Sequence, residues 1–151
     1  MRESNGELGR NGRPPVVYIE SSALVAALME KDPAALAALG EPARWVTSAL
    51  TFAESYRAVI RARVANRLTD AQERDALQAL RSFEPGCATI SITDAVLDRV
   101  RRPFPVEPIR ALDAIHVATA ELVDAAPQLV TVLTRNTRVR DNARALGHPV
   151  I

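Results

Sequence analysis

The sequence has almost no cysteine and no long apolar run, and each absence excludes a class of protein. Cys87 is the only cysteine among 151 residues, which excludes an internal disulfide framework and a metal site built from several cysteines. No apolar run approaches the roughly 20 residues needed to span a bilayer. Residues 1–15 are polar and lack the apolar centre of a signal peptide. We therefore expect a soluble, cytoplasmic protein without a membrane segment.

Lysine is also nearly absent, and the net charge is small. Lys31 is the only lysine, so the positive charges are nearly all arginines, whose planar guanidinium groups suit phosphate recognition. Coding bias explains such a composition as well, and we favour that simpler explanation. The formal net charge of +1 is lower than a strongly basic nucleic-acid-binding protein would usually show. Composition therefore says little about partners.

The length suits one domain that follows a flexible tail. Residues 1–15 end in two prolines and offer nothing apolar to bury, so we predict a tail there and one domain over residues 16–151. Within this domain, predicted strands cover residues 16–19, 44–47, 88–91 and 129–133, with a short edge strand at 150–151. Predicted helices cover residues 23–29, 33–40, 49–65, 69–82, 94–101, 110–123 and 137–146. The segment 102–108 contains three prolines and is predicted to be a loop.

Regular alternation of strands and helices predicts an α/β fold with a mainly parallel sheet that helices cover on both faces. Ligands in such folds bind just beyond the carboxyl ends of the strands. Glu20 and Asn136 directly follow predicted strands, and Glu54 and Asp113 lie early in helices. We therefore expect all four to reach one crevice. Magnesium and manganese prefer such hard oxygen ligands, and a bound ion would relieve the repulsion between the carboxylates.

Each of these residues also has a purely structural interpretation. Glu20 fits a strand-end carboxylate facing water, and Glu54 matches the last position of a capping box, which would satisfy only a backbone donor. Asp113 fits a carboxylate that complements the helix dipole, and Asn136 fits an ordinary N-cap. His116, three residues after Asp113, fits a side chain packed on its helix better than a catalytic base.

Four stretches together carry a resemblance to a known family. In order they are residues 17–25, 47–54, 110–120 and 132–138, of which the third, Arg-Ala-Leu-Asp-Ala-Ile-His-Val-Ala-Thr-Ala, is the most specific. They resemble a PIN domain of the VapC-type toxin branch of type II toxin–antitoxin systems. The resemblance implies a PIN-like three-layer fold, with a mainly parallel sheet of four to five strands flanked by helices.

The resemblance also implies a function and a set of site residues. It implies an Mg²⁺- or Mn²⁺-dependent endoribonuclease that cleaves single-stranded or looped RNA of the tRNA or rRNA class. A cognate VapB-type antitoxin would inhibit the chain, which would pair as a homodimer. By position, the catalytic and metal-binding residues are Glu20, Glu54, Asp113 and Asn136, and the supporting hydroxyl groups are those of Ser22 and Thr134.

Two of these positions depart from the family pattern, which usually has aspartate at both. Glu20 is one methylene longer, and Asn136 keeps an oxygen ligand but removes a charge. We therefore expect reduced activity or a need for more metal. The alternative is a catalytically weakened or inactive PIN-like module that binds antitoxin or RNA without cutting it. Arg135 and Arg138 are the candidates for RNA contact, although a solvated helix face explains them equally well.

Overall fold

The computed structural model describes residues 12–123 and 126–151. Most of the predicted tail, residues 1–11, lies outside the described residues, and residues 12–15 are exposed before the first strand. The boundary between tail and domain therefore stays a prediction. Within the described ranges, no helix is both long enough and apolar enough to cross a bilayer.

Four parallel strands form the centre of the fold. They are β1 (Val16–Ile19), β2 (Arg44–Ser48), β3 (Ala88–Ile90) and β4 (Val130–Leu133). Their order in the sheet is β3-β2-β1-β4, and each neighbouring pair is parallel. The predicted edge strand near the C-terminus is a single parallel bridge between Val132 and Val150. All four strands therefore end at one edge of the sheet, as the alternation of elements predicted.

Seven α-helices of the described residues connect and cover these strands: α1 (Ser21–Leu28), α2 (Pro33–Gly40), α3 (Ala49–Val64), α4 (Asp70–Phe83), α5 (Asp94–Val100), α6 (Ala111–Glu121) and α7 (Thr137–Ala145). The bounds of α2 agree with the prediction: Asp32 caps its first turn, Pro33 is its first residue and Gly40 is its last. Helix α1 begins two residues earlier than predicted, because Glu20 rather than a serine is its N-cap.

The two faces of the sheet bury separate groups of apolar side chains. Tyr18, in the middle of β1, packs into a cluster with residues of α5, α6 and α7, such as Val96, Val117 and Val139. Its neighbours in β1, residues 17 and 19, point the other way, into a cluster with residues of α1, α3 and α4. This alternation is the period of two of a β-strand. The result is a three-layer arrangement with helices on both faces.

Candidate metal site

Glu20 lies at the carboxyl end of β1, and its carboxylate is almost fully buried at 2% exposure. One of its oxygens, Oε1, accepts hydrogen bonds from the Ser21 hydroxyl at 2.7 Å and from the Ser22 amide at 3.1 Å. The other, Oε2, accepts from the hydroxyl groups of Thr134, at 2.7 Å, and of Ser22. A buried charge is costly unless donors surround it, and here four donors do so.

The hydroxyl groups that donate to Glu20 are held in turn by the loop after β4. The backbone amide of Arg135 donates to Ser22 Oγ at 2.8 Å, and that of Asn136 donates to Thr134 Oγ1 at 3.0 Å. Ser22 at the start of α1 and Thr134 after β4 are 112 positions apart in the sequence, and both contact the Glu20 carboxylate. These hydrogen bonds hold the Glu20 carboxylate in one orientation.

Glu54 points into the same edge of the sheet from the second turn of α3. Ser48 is the N-cap of this helix, so the capping-box interpretation of Glu54 is wrong. The side chain is 29% exposed. Its Oε1 accepts a hydrogen bond from Ser21 Oγ at 3.1 Å and lies 2.5 Å from Nε2 of His116. The Ser21 hydroxyl therefore lies between the carboxylates of Glu20 and Glu54, although its single proton bonds to only one of them at a time.

His116, interpreted from the sequence as a side chain packed on its helix, is a buried member of this group. Its side chain is 1% exposed, with Nε2 3.8 Å from Oε1 of Glu20 and Nδ1 2.8 Å from the Tyr18 hydroxyl. The roles that satisfy every atom are a Tyr18 hydroxyl that donates to Nδ1 and an Nε2–H that donates to Glu54. Burial, followed by the charge of Glu20, raises the pKa of the Tyr18 phenol, which keeps it a donor.

The interpretation of His116 as a side chain packed on its helix explains its burial but not these polar contacts. One signal was available in the sequence, since positions three apart share a helix face and His116 follows Asp113 by three. Ser21 had no comparable signal. Ser21 and Tyr18 are thus the residues near the acids that sequence reasoning missed, and for His116 it missed the polar contacts.

Glu20, Glu54 and His116 each place one potential ligand atom so that all three atoms lie within 4.8 Å of one another. In the tautomer assigned above, Nε2 of His116 carries a proton and donates to Glu54, so the two carboxylates are the members of this group that can bind an ion such as magnesium or manganese. The carboxyl edge of the sheet therefore contains a possible acidic metal site.

Asp113 and Asn136 form the neighbouring part of the site. Asp113 lies in the first turn of α6, and its Oδ1 accepts a hydrogen bond from Nδ2 of Asn136 at 2.8 Å. The Asn136 oxygen accepts from the backbone amides of Arg138, at 2.9 Å, and Val139, at 3.4 Å. Because backbone amides only donate, they fix which end of this side chain is oxygen. The N-cap interpretation of Asn136 is confirmed, and its NH₂ group faces Asp113.

The Asp113 carboxyl has an electrostatic environment unlike that of Glu20. Burial raises its pKa, the hydrogen bond from Asn136 opposes this, and the charge of Glu20 raises it further. The positive charge of the exposed Arg138 lowers the pKa. Arg135, the other candidate for RNA contact, forms an ion pair with Asp32 at 3.4 Å. Of the two arginines, Arg138 is thus the one whose charge acts on the Asp113 carboxyl.

Fold and site together define a class of protein, a parallel α/β domain with acidic side chains at the carboxyl edge of its sheet. The family model for the PIN domain matches residues 17–145. Ribonuclease VapC35 of Mycobacterium tuberculosis, in each of two strains, is 34% identical over 140 residues, which cover 90% of this chain and 96% of that protein. The chain belongs to the PIN-domain family.

Two solved structures have a similar fold. A toxin-antitoxin complex from Klebsiella pneumoniae contains a chain that is 23% identical, with a TM-score of 0.56 and coverage of 89% of this chain and 95% of that one. VapBC-1 from nontypeable Haemophilus influenzae contains one that is 13% identical, with a TM-score of 0.55 and coverage of 90% and 97%. They confirm the expected PIN-like α/β fold.

Proposed function

We propose that the chain is an Mg²⁺- or Mn²⁺-dependent endoribonuclease toxin that cleaves single-stranded or looped RNA. The observation that carries this proposal is the convergence of carboxylates at the carboxyl edge of the sheet: the Ser21 hydroxyl contacts both Glu20 and Glu54, and Asp113 lies near enough for the charge of Glu20 to raise its pKa. Membership of the PIN-domain family and the name of the relative, a ribonuclease, support the same activity.

In this proposal Glu20, Glu54 and Asp113 hold the ion, and Asn136, whose NH₂ group donates to Asp113, assists by orienting that carboxylate or through water. The donor set fits the ion, because carboxylate oxygens suit both magnesium and manganese. Bound there, a divalent ion supplies an activated water and neutralises charge on the phosphate. Such an ion would favour hydrolysis, in which water replaces one ester oxygen of the RNA backbone at phosphorus. The mechanism needs no side chain as covalent nucleophile.

The side chains around the acids keep the ligand atoms in place. Glu20 has four donors that fix it, and the Tyr18–His116 pair holds one oxygen of Glu54. Surrounding contacts of this kind set the orientation of metal ligands and their affinity for the ion. We assign Tyr18 and His116 this positioning role.

We also propose a cognate VapB-type antitoxin as the partner of the chain, which would pair as a homodimer in the cytoplasm. One of the two similar structures is described as a toxin-antitoxin complex and the other as VapBC-1, and the chain covers nearly all of each matched chain. Co-expression of the chain with the product of a neighbouring small reading frame tests the partner. A monomeric chain that this product does not bind would contradict the proposal.

Cleavage of single-stranded and hairpin RNA by the purified protein in Mg²⁺, Mn²⁺ or EDTA tests the activity. We expect cleavage with either ion, none in EDTA, and none from Asp113→Ala. Glu30→Gln is the matched control, because Glu30 is an exposed acid at the far end of α1. Cleavage that persists in EDTA, or that survives Asp113→Ala, would refute the mechanism.

One observation favours a second candidate function, a PIN-like module that binds antitoxin or RNA without cutting. The Asn136 oxygen is engaged by the first turn of α7, so this position contributes neither a charge nor a free oxygen. A wild-type chain that binds neither ion at millimolar concentration, yet binds RNA or antitoxin, would favour this second function.

A further inference from the structure

An open concavity of about 460 Å³ lies at the C-terminal end of α3. We call it the α3 groove, and its lining contains three arginines and no acid: Arg57, Ile60, Arg61, Val64, Ala65 and Arg67. We propose that the α3 groove binds the phosphates of the RNA strand beside the bond to be cleaved. This inference rests on the proposed ribonuclease function and adds a path for the substrate.

The position of the groove relative to Glu54 supports a continuous path. Arg57 and Arg61 follow Glu54 by three and seven residues on α3, which places Arg61 about 10 Å further along the helix axis and within roughly 20° of the same direction. Arg57 lies between them, about 60° to one side. A strand with one phosphate at the acids therefore passes these guanidinium groups if it runs along α3.

The end of the groove is fixed by a well-defined turn. Asn66 adopts a left-handed conformation with φ of 55°. The amide of Arg67 donates to the Ala62 carbonyl at 2.8 Å, and that of Asn66 donates to the Arg63 carbonyl at 3.0 Å. These two bonds form a Schellman motif, which places the backbone of Arg67 against the last turn of α3. The arrangement exists before any ligand arrives.

The charges in the groove are available to a ligand. Among the ion pairs of the described residues, none involves the three groove arginines, whereas Arg63 on the same helix contacts both Asp70 and Glu73. Uncompensated guanidinium groups favour an anionic occupant, and they match phosphates well. The apolar Val64, which is 78% exposed, offers a surface for ribose. The lining contains no aromatic side chain for base stacking, so we expect recognition of the backbone and not of the sequence.

Binding of a short labelled single-stranded RNA to the full chain, measured by fluorescence anisotropy in EDTA at several salt concentrations, tests the inference. The variant is Arg57→Gln/Arg61→Gln. The matched control is Arg44→Gln/Arg102→Gln, which removes the same charge at exposed sites on β2 and after α5. We expect the groove variant to bind on the order of tenfold more weakly, with a salt slope lower by about 1.4, as two lost phosphate contacts predict. The control should match the wild type.

Four outcomes would overturn the inference. Equal losses in both variants would show that only total charge matters. Unchanged RNA binding by the groove variant, while the wild type still cleaves RNA with Mn²⁺, would refute phosphate binding in the α3 groove. The proposed ribonuclease function would be unaffected. The same unchanged binding together with a shift from dimer to monomer, measured by light scattering, would show that the groove contacts a second copy of the chain. A wild type that neither binds nor cleaves RNA would refute both proposals.

Discussion

The two acids at the ends of the candidate site, Glu20 and Asp113, have opposite environments. Glu20 is buried and accepts four hydrogen bonds, one of which caps α1. Asp113 is partly exposed, accepts one hydrogen bond from Asn136, and begins a helix whose N-cap, Arg110, provides no side-chain bond. Burial raises the pKa of Asp113, so its negative charge is disfavoured in the metal-free protein.

This difference separates two kinds of ligand. The carboxylate of Glu20 belongs to the structure of the fold, because its removal would leave buried donors without an acceptor. The carboxylate of Asp113 has one hydrogen-bond donor, Asn136, and the net shift of its pKa is upward, so a bound cation would add to its compensation. We infer that the fold orients the carboxylate of Glu20 before the metal binds, whereas the charge of Asp113 is stabilised mainly once the metal is bound.

The largest effect should come from Glu20→Ala. The change removes the cap of α1 and leaves the hydroxyl groups of Ser22 and Thr134 without their acceptor, whereas the Ser21 hydroxyl keeps Glu54. We expect the free energy of unfolding in EDTA to fall by roughly 2–4 kcal/mol. Urea denaturation measures it, with Glu30→Ala as control. A change of less than about 0.5 kcal/mol, the usual range for surface substitutions, would contradict the structural role that distinguishes Glu20 from Asp113.

Asp113→Asn should leave the metal-free fold at least as stable as the wild type at neutral pH. A raised pKa means that the folded state favours the protonated carboxyl, so the stabilisation from that proton is present at acid pH and lost as pH rises through the raised pKa. Asparagine does not titrate, so the variant should gain relative to the wild type as pH rises above the ordinary aspartate range. Urea denaturation in EDTA at several pH values measures this. A variant that loses stability relative to the wild type across the same range would contradict the environment assigned to Asp113.

His116→Gln should weaken the site without abolishing the fold. The change removes the link between Tyr18 and Glu54, and loss of a group that orients a metal ligand typically costs 10–100-fold in affinity. Tyr18→Phe, which removes only the hydroxyl, should cost less. Calorimetric titration with Mn²⁺ measures both. If His116→Gln binds the ion as tightly as the wild type does, the positioning role is wrong.

Asn136→Asp should change stability least among these substitutions. Unlike the others, it should raise the affinity of the site for the ion. Aspartate caps helices about as well as asparagine, so α7 should be retained. The new charge faces Asp113, so we expect a slight loss of stability in EDTA and tighter binding of the ion. Paired measurements of unfolding and of metal affinity test this. Equal metal affinity in the variant and the wild type would show that the side chain at position 136 does not affect binding of the ion.

Local signals made much of the fold predictable from the sequence. The apolar run of β1 and the proline and glycine at the ends of α2 identify these elements with the observed bounds. The parallel topology then places strand ends at one edge, which is why Glu20 and Glu54 were expected to meet. Predicted helix ends were less accurate, as α6 covers Ala111–Glu121 rather than the predicted 110–123.

The detailed contacts of the site could not be predicted, because they join residues far apart in the sequence. His116 contacts Glu54 across 62 positions and Tyr18 across 98. The orientation of the Asn136 amide depends on the first turn of α7 and on Asp113 together. No periodicity or spacing encodes such pairings. The roles of the four expected site residues and of the RNA-contact candidates stay predictions.

Calorimetric titration of the wild type and of Asp113→Asn with Mn²⁺ and with Mg²⁺ tests the central claim most directly. The account predicts that the wild type binds at least one of the two ions, and that the variant, folded and as stable in EDTA, binds it at least about tenfold more weakly. A wild type that binds neither ion at millimolar concentration, or a variant with unchanged affinity, would contradict a metal site completed by Asp113.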